Sequence, residues 1–98
     1  MVKHIVCWKL KQELTEREKA TSSQKIREML EALPGQIDGI VSMEVGRGFN
    51  GGQFDLCLYA EFTSREALAA YDVHPKHQKV REYVRTVVED RAVIDYEV

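Results

Sequence analysis

Cysteine is scarce. Cys7 and Cys57 are the two thiols, far apart in the chain, with neither Cys-x-x-Cys spacing nor a neighbouring histidine pair, which excludes a zinc site built on them. Both read as small buried hydrophobes rather than ligands, and no metal is expected from side chains. No apolar run approaches the roughly 18 residues a membrane span requires, and no positive-then-apolar leader opens the chain. The expectation is a reduced, cytoplasmic protein without a membrane partner. An excess of positive charge is also missing: 14 Lys and Arg stand against 16 Asp and Glu, for a net charge of -2, and no basic tract forms. Nucleic acid is therefore not an expected partner.

What is present is an ordinary folding composition, 44% apolar and 31% charged, with the aromatics spread along the chain. Its 98 residues suit one domain, 1–98, with a modest core and much exposed surface, so burial against a second copy is expected to matter.

Val2 to Lys11 alternates with a period of two: Val2, His4, Val6, Trp8 and Leu10 on one face, Lys3, Ile5, Cys7, Lys9 and Lys11 on the other. Thr15-Glu16-Arg17-Glu18 has the form of a capping box. It opens a helix whose apolar stripe is Ala20, Ile26, Met29, Leu30 and Leu33 and which Pro34-Gly35 stops. Ile40 to Gly46 reads as a strand. The glycine-rich loop after it leads into a further strand pattern rather than a helix and lacks the Lys-Ser/Thr of a phosphate loop, so it reads as a hairpin connection.

Phe54 to Phe62 is the clearest strand, with Phe54, Leu56, Leu58, Ala60 and Phe62 on one face. Thr63-Ser64-Arg65-Glu66 suggests a second capping box before a short helix through Tyr71. Pro75 then suits the first position of a helix over Lys76 to Val88 that buries Val80, Tyr83, Val84, Val87 and Val88. Arg91 to Val98 alternates as a last strand. Strand, helix, strand, strand, helix pair, strand is the α+β, ferredoxin-like order: a four-stranded antiparallel sheet with helices on one face. The other face would carry an apolar patch too large for a stable monomer, so two sheets are expected to pack face to face as a homodimer and enclose a cavity.

Chemistry concentrates in Tyr71-Asp72-Val73-His74-Pro75-Lys76-His77, which holds two of the three histidines and a tyrosine. His74 precedes a proline, which suits a turn or capping role. His77 is the candidate base, since imidazole titrates near neutrality. Tyr71 serves equally as a hydroxyl donor or a packing aromatic, and His4 as a core histidine or a site residue.

Taken together, these segments resemble the stress-responsive dimeric α/β-barrel (Dabb) family. The likeness covers Val2-Lys3-His4-Ile5-Val6 with the Lys9-Leu10-Lys11 strand end, Phe54-Asp55-Leu56, Ala70-Tyr71-Asp72-Val73-His74-Pro75-Lys76-His77, and Glu89 through Val98. The most specific piece is His-Pro-x-His. The resemblance implies a ferredoxin-like protomer in a homodimeric barrel. One plant member of the family is a polyketide cyclase that closes a poly-β-ketone by intramolecular aldol condensation without a redox cofactor, and its pocket positions correspond here to His4, Tyr71 and His77.

Where that cyclase has a further histidine and a tyrosine, this chain has Leu56 and Ile26, which implies a more apolar pocket. Some plant relatives hold a divalent cation on backbone carbonyls, near Leu30, Leu33 and Gln36 here. The functional expectation is a cofactor-independent cyclase or lyase acting on a small apolar carbonyl or polyketide-like ligand, with His77 as base, Tyr71 as donor and His4 as orienter. The alternative is a non-catalytic structural or ligand-binding homodimer.

Overall fold

A computed structural model describes all 98 residues, Met1–Val98. The elements follow in the order β1 (Val2–Leu10), α1 (Glu16–Glu31), β2 (Ile40–Arg47), β3 (Leu56–Phe62), α2 (Arg65–Asp72), α3 (Pro75–Val87) and β4 (Val88–Glu97). The four strands form one antiparallel sheet in the order β2-β3-β1-β4, the ferredoxin-like arrangement. No helix is long and apolar enough to cross a membrane.

The period of two in β1 sorts its side chains as the alternation requires: Val2, Val6, Trp8 and Leu10 are buried under the helices. Leu56, Leu58, Ala60 and Phe62 on β3, and Met43 and Val45 on β2, complete the same face, and Ile26, Leu30, Leu33, Tyr71, Val80 and Val87 pack onto it from the helical side. α1 begins with the expected box: the Thr15 hydroxyl accepts from the Glu18 amide at 3.1 Å, and Glu18 accepts from the Thr15 amide at 2.8 Å.

Several expected features shift. The cap of α2 is Ser64, whose hydroxyl accepts from the Ala67 amide at 3.0 Å; with alanine at that third position no carboxylate reaches back, so the reciprocal half of a box is absent. In α1 the buried positions include Ser22 and Ser23, while Ala20 is exposed and Met29 half-buried. β3 begins at Leu56, not Phe54, because the Asp55 carboxylate turns across to accept from the Leu10 amide at 2.8 Å. β4 starts at Val88, directly from the end of α3, because Val88 pairs with Leu10 of β1; helical spacing alone had carried it into the helix. Tyr83, Val84 and Val88 are half-buried rather than buried.

The face away from the helices presents Ile5 and Cys7 from β1, Cys57 and Tyr59 from β3, and Ala92, Ile94 and Tyr96 from β4, as the registers Ile5↔Tyr59, Ile5↔Ile94 and Cys7↔Cys57 require. Cys7 and Cys57 are therefore half-buried on this face and not members of the core; their sulfurs are 3.9 Å apart. Burial and the neighbouring Cys7 push the Cys57 thiol up to about 11, which keeps it protonated and unreactive at neutral pH.

Gly39 is one place where only glycine fits. Its φ of +90° is costly for any L side chain, and a Cβ there would lie 2.5 Å from the Ala67 Cβ of α2. Gly39→Ala is expected to lose about 1–3 kcal/mol of unfolding free energy, seen as a lower urea midpoint at unchanged slope. An unchanged midpoint would mean that this turn is not constrained in the folded protein.

Candidate functional site

α2 ends at Asp72 and α3 starts at Pro75, so Val73 and His74 alone reverse the chain. Two caps make so short a break workable. His74 is the N-cap of α3, its Nδ1 accepting from the Lys76 amide at 3.1 Å, and Pro75 occupies the first helical position, where no amide is needed. The last carbonyls of α2 lack the amides of a following turn, and the His74 amide donates to that of Tyr71 at 3.1 Å. His77 reaches back to them, its Nδ1 lying 3.1 Å from the Tyr71 carbonyl and 3.4 Å from that of Asp72, while the Gln78 side chain donates to the Asp72 carbonyl at 2.7 Å. Facing two carbonyls, Nδ1 has only the donor role. The neutral ring therefore carries its free lone pair on Nε2.

This cap lays the His77 ring on the Tyr71 ring, with centroids 3.9 Å apart and planes 19° from parallel. Tyr71 is 1% exposed and also packs against Phe62 at 5.0 Å and, edge-on, against His4 at 6.1 Å. His4 reaches the same place from β1. Its Nδ1 donates to the carboxylate of Asp95, the residue opposite it on β4, which fixes the ring and leaves Nε2 as its free nitrogen.

All three residues line one cleft of about 750 Å³, which suits a small-molecule ligand. Its apolar wall includes Val6, Trp8, Leu58, Leu68 and Val84. The cleft lies between the helices and the β1–β4 side of the sheet. The expectation that the site would face a cavity between two packed sheets is thus corrected: His4 shares the face of Val6 and Trp8, and that is the face the helices cover. Leu56 and Ile26 are buried in the core and do not line this cleft.

Burial is the leading influence on both members of the stack. It holds the His77 imidazole below its ordinary value, against the two backbone carbonyls that favour the cation, with Arg81 lowering and Asp72 raising it further. It pushes the Tyr71 phenol well above its usual range, helped by the Asp72 charge and opposed by Arg81. At neutral pH the pair is a neutral imidazole and a protonated phenol. Arg81 and Asp72 form an ion pair at 3.6 Å beside them.

The turn after α1 is a poor setting for a divalent cation. The Leu30 and Leu33 carbonyls accept backbone amides at 2.9–3.1 Å, and the Lys76 ammonium donates to the Gln36 side chain at 3.0 Å, placing a fixed positive charge there. No group of three or more His, Cys, Asp or Glu side chains is arranged to hold a metal.

Asp95 and the arginines of the cleft rim were not found by sequence reasoning. The alternation of β4 placed Asp95 on a face with Val93 and Glu97, but only the pairing with β1 sets it opposite His4.

Residues 2–98 match the model of the stress-responsive A/B barrel domain family. Among solved structures, a dimeric ferredoxin-like protein of unknown function from Bacteroides fragilis is 36% identical, with a TM-score of 0.91 over 99% of this chain and 95% of that one. A Dabb family protein from Mesorhizobium loti is 24% identical, TM-score 0.78, over 99% and 95% of the two chains. The hydroxynitrile lyase of Passiflora edulis is 16% identical, TM-score 0.81, over 99% and 92%. No curated protein matches the chain in sequence.

The depressed His77 predicts a pH dependence of stability. Below the ordinary histidine value of 6.5 the unfolded chain takes up a proton that the folded ring refuses, so unfolding binds protons and stability falls with falling pH until the folded ring also titrates. His77→Asn removes this contribution. Between neutral pH and about 5.5 the urea midpoint of the variant should decline less than that of the wild type, and parallel declines would show that His77 is not held neutral by burial.

Proposed function

The chain belongs to the stress-responsive A/B barrel domain family, and from that premise we propose that it is a homodimer in which each protomer's cleft binds a small carbonyl compound and moves protons on it without a redox cofactor. The observation that carries this reading is the Tyr71–His77 stack, which sets a neutral base and a protonated donor side by side on one cavity. His77 Nε2 removes a proton from the carbon next to a carbonyl, and the Tyr71 hydroxyl donates to the enolate oxygen. In the cyclising direction the enolate carbon attacks a second carbonyl of the same molecule, and the resulting alkoxide takes the proton back from His77. Run in reverse, the same steps break a carbon–carbon bond, which is the lyase form. His4, steadied by Asp95 and packed edge-on against Tyr71, orients the substrate from the β1 side. The Passiflora protein is a precedent for a lyase on this fold and for nothing narrower.

The dimer places the open sheet faces together. Ile94 is 59% and Tyr96 43% exposed in the isolated protomer, beside Ile5, Cys7 and Tyr59, and a contiguous apolar surface of this kind favours a partner. At its margin Lys3 bonds Glu61, which also accepts from Tyr59 at 3.0 Å and Ser42 at 3.3 Å; the Lys3 contact, chiefly, holds the Glu61 carboxyl below its usual range. The Bacteroides relative, itself dimeric, supports a dimer.

Two experiments test these statements. His77→Asn keeps a donor for the α2 carbonyls but has no base, so it should remain folded while turnover of a β-keto substrate falls by about 100-fold or more; undiminished turnover would remove His77 from the mechanism and leave a ligand-binding homodimer. Ile94→Glu should shift the sedimentation coefficient from dimer to monomer with the far-UV spectrum retained. A dimer that persists would place the interface elsewhere.

A further inference from the structure

Formal charge around the cleft cancels, with four arginines (65, 81, 85, 91) against four acids (72, 89, 90, 95), but commitment does not. Asp95 is taken by His4 and Asp72 by Arg81. Glu89 accepts from the Gln12 amide at 2.8 Å and from Lys9 at 3.3 Å. Arg65 is held by Glu97 at 3.0 Å, and Asp90 accepts the amide of its own neighbour at 2.8 Å. The guanidinium groups of Arg85 and Arg91 have no ion pair within the chain. Because α3 passes straight into β4, these two arginines flank the junction, one in the last turn of the helix and the other opposite Trp8 in the strand register, and both line the cleft.

Resting on the cleft reading above, we infer that the cleft selects carbonyl compounds that also carry a carboxylate. The carboxylate is seated by Arg85 and Arg91, and the flat apolar body lies along Trp8 and the valines. The carbonyl is then presented to Tyr71 and His77. Guanidinium is suited to this task because its planar donors pair with both carboxylate oxygens and its charge does not titrate. Both residues are exposed, so the attraction they offer a carboxylate is screened by salt.

The test is a titration of the full-length protein with 4-acetylbenzoate and with its neutral isostere 4-acetylbenzamide, following the ring resonances of His77 and Tyr71 by NMR. Both compounds should shift those rings, the acid binding at least about tenfold more tightly, with an advantage that shrinks as salt is added. Arg85→Gln and Arg91→Gln should each reduce the advantage, and Arg17→Gln, which removes the same charge from the exposed first turn of α1, should preserve it. Equal affinities with shifted rings, an advantage that survives both rim variants, or one lost equally in Arg17→Gln would overturn carboxylate selection while leaving the cleft as a carbonyl site. If neither compound shifts the rings, the cleft reading falls and the inference falls with it.

Discussion

The carbonyls at the end of α2 must find donors, and much of the functional geometry follows from how they do. The reversal at Val73 and His74 supplies one of them, the His74 amide to the Tyr71 carbonyl at 3.1 Å, and α3 adds the others from its first turn, through the His77 ring and the Gln78 amide. An imidazole used in this way lies flat on the last aromatic of α2, which is Tyr71. The same bond that completes the helix end also decides which ring nitrogen of His77 carries the proton and which is free. A structural capping role and a proton-transfer role are therefore not rival descriptions of this residue, since the first prepares the second.

Local features of the chain were legible in advance and nonlocal ones were not. Thr15 with Glu18, His74 with Pro75, and the alternation of β1 each express their physics within a few residues, and each appears as a cap, a turn or a face in the structure. The limits of β3 and β4 were misplaced because they depend on partners across the sheet: Asp55 turns away to Leu10, and Val88 is drawn into register with it. The location of the cleft failed for a similar reason. Which face of a sheet receives the helices is settled by packing, and His4 went with the helical face together with its apolar neighbours. Asp95 and the uncommitted arginines belong to the same class, since neither register nor charge commitment can be read along a single chain.

The sheet thus separates two tasks. Its helical side grips a stack of rings whose protonation is set by burial, and its open side presents isoleucine, tyrosine and the two neighbouring thiols. Trp8 and Ile5 are three residues apart on the same strand and serve opposite sides. The shift by one that exchanges faces in a strand would here exchange a cleft for an interface, so register is constrained from both sides.

β4 closes one margin of the sheet, and its outer backbone amides and carbonyls have no strand beyond them. A free margin ten residues long, carrying Val93, Ile94 and Tyr96, is a template on which a second chain can pair. The same segment holds Glu89, Asp90, Asp95 and Glu97, so a second β4 laid alongside it would bring acidic residues into mutual repulsion. Association through the flat of the sheet is finite, because each protomer has one such surface to offer. The acidic margin thus biases the molecule away from pairing edge to edge through β4 and toward association through the flat of the sheet.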